Sequence, residues 1–236
     1  MQMNLWVVLC SGGMLGLSAG SVLANPPDSV NWVDQGVTPP VRDQSLCGGD
    51  VAMVTAEAVD SLEAIHGVSQ ADTSIQQLID CTAAYGGQGC NGADLVSGLK
   101  YIVAHGVMTN AAYGPYTASD GVCRASGGPL RISSYTQLPR GDCDALQAAV
   151  ARQPVMAAVG VSSNTSVPGF ANYSGGVLTD CGANPAPNHS VLVVGYTPDY
   201  WIVQNSWGAS WGENGFIRLK RGNTCGICEY AAYPKY

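Results

Sequence analysis

From residue 50 onward, apolar residues recur at spacings of three and four. Val51, Val54, Ala58, Leu62 and Ile65 fall on one face of a predicted helix, which Asp50 is placed to cap and Gly67 to end. A second helix is predicted from Ser74, with Gln77 completing a capping box and Leu78 and Ile79 on the apolar side. A third runs from Asp94 to about His105 and stops at Gly106, and a fourth runs from Asp144 to Arg152, halted by Pro154. After that the period changes. Val155–Val161, Ser190–Tyr196, Tyr200–Val203 and Phe216–Lys220 are short apolar or alternating runs bounded by turn residues, and they read as strands. Helices early and strands late predict an α+β protein with a helical lobe and a sheet-rich lobe.

Composition narrows the partners more than the fold. Of the 236 residues only 11% are charged, and the net charge is −7 with no basic run, so nucleic acid and anionic membrane surfaces are excluded as partners on electrostatic grounds. Residues 1–24 carry no charge, centre on the apolar run Leu5–Leu9 and end Ser21-Val22-Leu23-Ala24. They read as a secretory signal peptide cut after Ala24, although Gln2 and Asn4 stand where a Lys or Arg is usual. Gly12, Gly13, Gly16 and Gly20 make the alternative, a retained membrane anchor, a poor spanning helix. No membrane association is expected once this segment is removed, and the product is expected to be a monomer, secreted or held in an endolysosomal or vacuolar lumen.

Cysteine usage agrees with that route. Cys10 leaves with the signal, and the eight remaining cysteines are an even number in an oxidising compartment. Zinc would require paired Cys-x-x-Cys units, and only Cys225–Cys228 qualifies, so no metal and no cofactor is expected. Among the histidines, His66 and His105 each precede a glycine at a helix end, where an imidazole serves the helix dipole. His189 differs, because it opens the apolar strand that runs to Tyr196. Three acceptor sequons start at Asn164, Asn172 and Asn188; the first two are expected to be glycosylated and Asn188, beside His189, to be bare.

Five segments occur in one order: Gln44-Ser-Leu-Cys47-Gly-Gly, Cys90-Asn-Gly-Ala, Asn188-His189-Ser190, Gln204-Asn205-Ser206-Trp207-Gly208 and Trp211-Gly-Glu-Asn-Gly215. Together they resemble the papain-like, cathepsin-type cysteine peptidases over essentially all of residues 30–236. The resemblance implies a papain-like two-lobed fold within residues 25–236. A mainly helical lobe (about 30–135) and a β-barrel-like lobe (about 136–236) would flank a cleft, with the N-terminal arm and the C-terminus crossing between them. It also implies His189 as the catalytic histidine, Asn205 as its orienting partner, Gln44 as an oxyanion donor and Trp207 as a cover over the Asn205–His189 hydrogen bond. Ala93, Ala158, Asn188, Ser190 and Tyr230 would line the substrate pocket, together with Trp207. The family pattern pairs Cys47 with Cys90, Cys81 with Cys123 and Cys181 with Cys225. That leaves Cys143 and Cys228 for a fourth bridge.

The resemblance departs at the nucleophile, because the family's cysteine position falls on Asp50. Val51 and Met53 likewise replace the family's tryptophan and phenylalanine, and the expected signal runs straight into what resembles a mature start, with no pro-segment between. A carboxylate suits a helix N-terminus and can pair with a protonated His189, but it attacks a carbonyl far less readily than a thiolate does. The leading expectation is therefore a catalytically inactive pseudopeptidase that binds a peptide or protein in or near the cleft. One alternative is a residual or unusual peptide hydrolase using Asp50 and His189. The other is a structural secreted protein with a vestigial cleft.

Overall fold

The computed structural model describes residues 26–68, 71–125, 127–162, 169–181 and 186–236. The expected signal peptide and the Asn164 sequon lie outside them.

The N-terminal arm contributes a short strand β1 (Val30–Asn31) and leads into the central helix α1 (Asp50–Ile65). Helices α2 (Ile75–Cys81), α3 (Ser97–His105) and α4 (Asn110–Tyr113) complete the helical lobe. Then follow β2 (Ser134–Gln137), α5 (Cys143–Val150), β3 (Val155–Val159), β4 (Val177–Leu178), β5 (His189–Tyr196), β6 (Tyr200–Gln204), β7 (Phe216–Lys220) and β8 (Ala231–Lys235). The strands form one mixed sheet in the order β2-β8-β3-β5-β6-β7-β4, with β1 laid along β5. This is the two-lobed α+β architecture with a cleft between its lobes.

Every residue of α1 from Asp50 to Glu63 is buried. A helix apolar on one stripe would be half exposed; α1 is closed on all sides because it lies between the other helices and the sheet. Strand β5 is buried along its whole length for the same reason. Its Leu192 and Val194 join the core around α1, while Val191 and Val193 join the core with α5 on the opposite face. A strand covered on both faces reads as a continuous apolar run. Gly195 marks the place where β1 crosses: a Cβ there would meet the Val30 carbonyl oxygen at 2.3 Å.

Three local expectations are corrected. Gly49, not Asp50, is the N-cap of α1, and no side chain caps that helix. Ser74 does cap α2 by accepting the Gln77 N–H at 3.2 Å, but the Gln77 side chain does not reach back. It bonds Tyr101, Gly127 and the Met108 N–H instead, fastening α2 to α3 and the following loops. Helix α3 starts at Ser97, three residues later than predicted, because Asp94 N–H and Ala93 are held by Gly86 and Gly87.

Four disulfides are present: Cys47–Cys90, Cys81–Cys123, Cys143–Cys228 and Cys181–Cys225. Among the described residues no helix is long and apolar enough to cross a membrane.

Candidate active site

The first turn of α1 and the first residue of β5 meet at the mouth of the cleft. Asp50 Oδ2 accepts the backbone N–H of Ser190 at 2.5 Å and lies 3.4 Å from Nδ1 of His189. The other imidazole nitrogen, Nε2, is 2.7 Å from Asn205 Oδ1. Three side chains from α1, β5 and the end of β6 thus form one line, and all three are buried. Asp50 is near the positive end of α1 without using the helix's own amides, so its contacts all point across the cleft.

Aromatic rings enclose the line. Trp207 stacks on His189 with ring centroids 4.7 Å apart, and Phe170 meets both rings edge-on. Trp211 packs behind Trp207 and Phe170. This wall keeps Asn205 wholly out of solvent, which strengthens its hydrogen bond to the imidazole.

Gln44 is fixed from four directions. Its N–H donates to the Ser206 carbonyl at 2.8 Å and its carbonyl accepts from the Tyr116 hydroxyl at 2.7 Å. Its Oε1 accepts the Ser206 hydroxyl at 2.6 Å, which leaves Nε2 as the outward donor, shared with the Cys47 carbonyl at 3.0 Å. The disulfide from Cys47 to Cys90 ties this turn to the loop carrying Ala93.

The remaining predicted positions fall into two groups. Ala158 on β3 lies opposite Ser190 on β5, and the Ala158 N–H bonds the Tyr230 carbonyl, so Ser190, Ala158 and Tyr230 form a row leading away from Asp50. Tyr230 is exposed, with the Arg140 guanidinium 4.8 Å above its ring. Asn188 is also exposed, and its side chain clasps the backbone N–H and carbonyl of Val161. Ala93 lies across the cleft in the helical lobe, lining a small cavity beneath Gly48, Gly49 and Val51. Sequence reasoning gave Ser190 only a pocket-lining place and missed its N–H as the anchor of Asp50. It also missed Ser206, Tyr116 and Phe170, which are not legible without knowing what they pack against. Among the described residues no group of three His, Cys, Asp or Glu side chains is arranged to hold a metal ion.

Residues 26–235 match the model of the papain family cysteine proteases. The chain belongs to that family.

Curated relatives include zingipain-2 of Zingiber officinale, 36% identical over 88% of this chain and 96% of its own length. Bovine cathepsin S is 38% identical over 89% of this chain, and a cathepsin L-like proteinase of Phaedon cochleariae is 36% identical over 88%; the match spans 65% of each of those two proteins. Among solved structures, the Carica candamarcensis cysteine protease CMS1MS2 in complex with E-64 superposes with a TM-score of 0.80 at 33% identity, covering 89% of this chain and 98% of that one. The bromelain protease of Ananas comosus in complex with the E64 inhibitor gives 0.78 at 34%, covering 89% and 99%.

These findings correct the expectation of an inactive pseudopeptidase, and with it that of a vestigial cleft. One of the sequence relatives is named as a proteinase, and the two superposed structures are of proteases bound to an inhibitor; the matches favour an active peptidase. The physical error was to judge the site by the intrinsic reactivity of one side chain. The family match runs over residues 26–235 instead, and the hydrogen-bonded line and aromatic wall around His189 are assembled.

Proposed function

We propose that the protein is a peptide hydrolase of the papain family, acting in a secreted or vacuolar setting, in which Asp50 occupies the family's nucleophile position and works with His189. The observation that carries this reading is the line Asp50–His189–Asn205, set in a site where every described cysteine is already bridged. With no free thiol among the described residues, the chemistry falls to the carboxylate–imidazole pair.

A water seated between Asp50 and a scissile carbonyl gives its proton to that pair while its oxygen bonds to the carbonyl carbon. The C–N bond then breaks, and the pair returns the proton to the leaving amine. Direct attack by Asp50 would instead form a mixed anhydride, a poor exchange for an amide, so water is the better nucleophile. Gln44 Nε2 supplies a donor for the developing oxyanion. Asn205 holds the imidazole at Nε2, so that Nδ1 stays turned to Asp50. The peptide would lie extended along the cleft, its side chains meeting the Ser190–Ala158–Tyr230 row on one wall and Ala93 on the other, beside Asn188 and Trp207.

The test is cleavage of a mixed peptide library by the wild type, Asp50→Asn and His189→Ala, each with and without a thiol-alkylating agent. Wild-type cleavage should survive alkylation and fall by roughly 10²–10⁴-fold in each variant, the usual worth of a positioned acid–base group. Absence of any wild-type cleavage, or equal cleavage by all three proteins, would sink the reading.

A further inference from the structure

Glu57 lies seven residues beyond Asp50, on the same stripe of α1 and two turns deeper. It has no solvent exposure, and neither carboxyl oxygen has a hydrogen-bond partner of full geometry, the Gln204 amide being a looser donor. The proposed mechanism makes no use of it. Burial pushes its pKa up to about 8, against the opposing pull of Arg42 and the Gln204 amide.

The charged groups around it are few. Arg42 reaches in from the N-terminal arm, and Asp60 stands one turn along α1. Asp72 lies beyond Arg42, 3.8 Å from its guanidinium, and β6 contributes only the neutral amide of Gln204. Arg42 spends Nη2 on Asp60 Oδ2 at 2.7 Å, while its Nη1 is buried without a partner. Gln204 Oε1 is also unpartnered.

Both neighbours lead to the site. Arg42 is two residues before Gln44, and its carbonyl accepts the Gly208 N–H at 3.0 Å, so the segment carrying Gln44 is pinned alongside Ser206–Gly208. Gln204 immediately precedes Asn205. We propose that Glu57 is a positioning residue whose proton keeps Gln44 and Asn205 in place. With the proton on, Arg42 serves Asp60 closely and Asp72 at longer range, with no third carboxylate to satisfy. With it off, a second buried carboxylate competes for the same guanidinium and has no other full partner, a state that can be relieved only by drawing Arg42 or Gln204 inward. Such a shift moves the oxyanion donor and the imidazole's anchor together.

The activity part of this inference rests on the peptide-hydrolase reading; the titration part does not. The experiment compares wild type with Glu57→Gln, which mimics the protonated acid. It follows the ¹³C carboxyl shift of Glu57, the thermal midpoint from pH 4 to 9, and kcat and KM for a cleaved peptide. The carboxyl should titrate near pH 8. The wild-type midpoint should fall relative to the variant's between about pH 4.5 and 8 and then run parallel to it. One unit above its pKa an acid keeps about one tenth of its protons, so wild-type kcat should drop about tenfold from pH 6 to pH 9, with KM moving less and the variant lacking that limb. Titration of Glu57 below pH 6 would overturn the proposal even if Glu57→Gln or peptide turnover proved unobtainable, and so would a midpoint difference from the variant that is independent of pH. Absence of turnover with the predicted titration would count against the hydrolase reading alone.

Discussion

A carboxylate at the first position of a helix can be satisfied by that helix's own free amides, yet Asp50 turns Oδ2 to the Ser190 N–H and to His189. Its partners are about 140 positions away in the chain, beyond the reach of any local capping rule. His189, Asn205 and Gln44 were legible because they sit in a dense run of motifs; the direction in which Asp50 points was not. The ring over this line makes a separate prediction. Trp207 stacks on His189 and shields the Asn205 hydrogen bond. Trp207→Ala should admit water to that bond and forfeit roughly 1 kcal/mol, the net worth of one hydrogen bond, which is about fivefold in kcat. Trp207→Phe should keep most of it. Steady-state hydrolysis of one peptide by the two variants is the check, and an unchanged kcat in the alanine variant would show that the cover is dispensable.

Between elements, α1 and α3 approach closely at Gly98. A Cβ on Gly98 would sit 2.7 Å from both Thr55 Oγ1 and Thr55 Cγ2. Gly98→Ala should therefore push α3 off α1 at a cost of about 1–3 kcal/mol, visible as a lower midpoint in denaturant, although alanine is the better helix former. Only a stabilised variant would contradict this. The same contrast between local and distant causes explains which elements were legible. Helices α1 and α5 and strands β5 to β7 declare themselves by period, since each buries its own apolar side chains. Strands β2 and β8 do not: β2 is the polar Ser134–Gln137, and β8 contains Pro234, so neither has a strand's signature. They exist because each lies beside the other, with Tyr135 opposite Pro234 and Thr136 opposite Tyr233. Strand β1 is similarly a two-residue segment made regular by β5.

At the scale of the whole molecule, none of the four disulfides bridges α1–α4 to the sheet, so the two lobes are held together by packing and by buried polar groups that respond to pH. Two such groups favour acid. Glu57 and Asp60 are both raised, first by burial, and a carboxyl raised on folding lends stability below its unfolded pKa that is lost as pH climbs through its folded one. Two others act in the opposite sense. Glu213 is lowered by its hydrogen bond to Arg218, and Glu229 by its hydrogen bond to Arg140; their contributions are present above the ordinary carboxylate range and vanish as pH falls through it. The second pair is solvent-screened and small in effect, whereas the first is buried, so the acid-favouring slope should dominate. Net charge acts in the same direction, because the −7 carried at pH 7 shrinks toward zero near the isoelectric point of about 4.7 and relieves self-repulsion. Thermal midpoints measured at constant ionic strength from pH 3 to 9 should peak in mildly acidic solution, near pH 5, and decline steadily toward pH 8. In Glu57→Gln the alkaline side should flatten while the acid side stays as it was. A wild-type maximum above pH 7 would mean that the buried carboxyls of α1 do not govern how the lobes hold together.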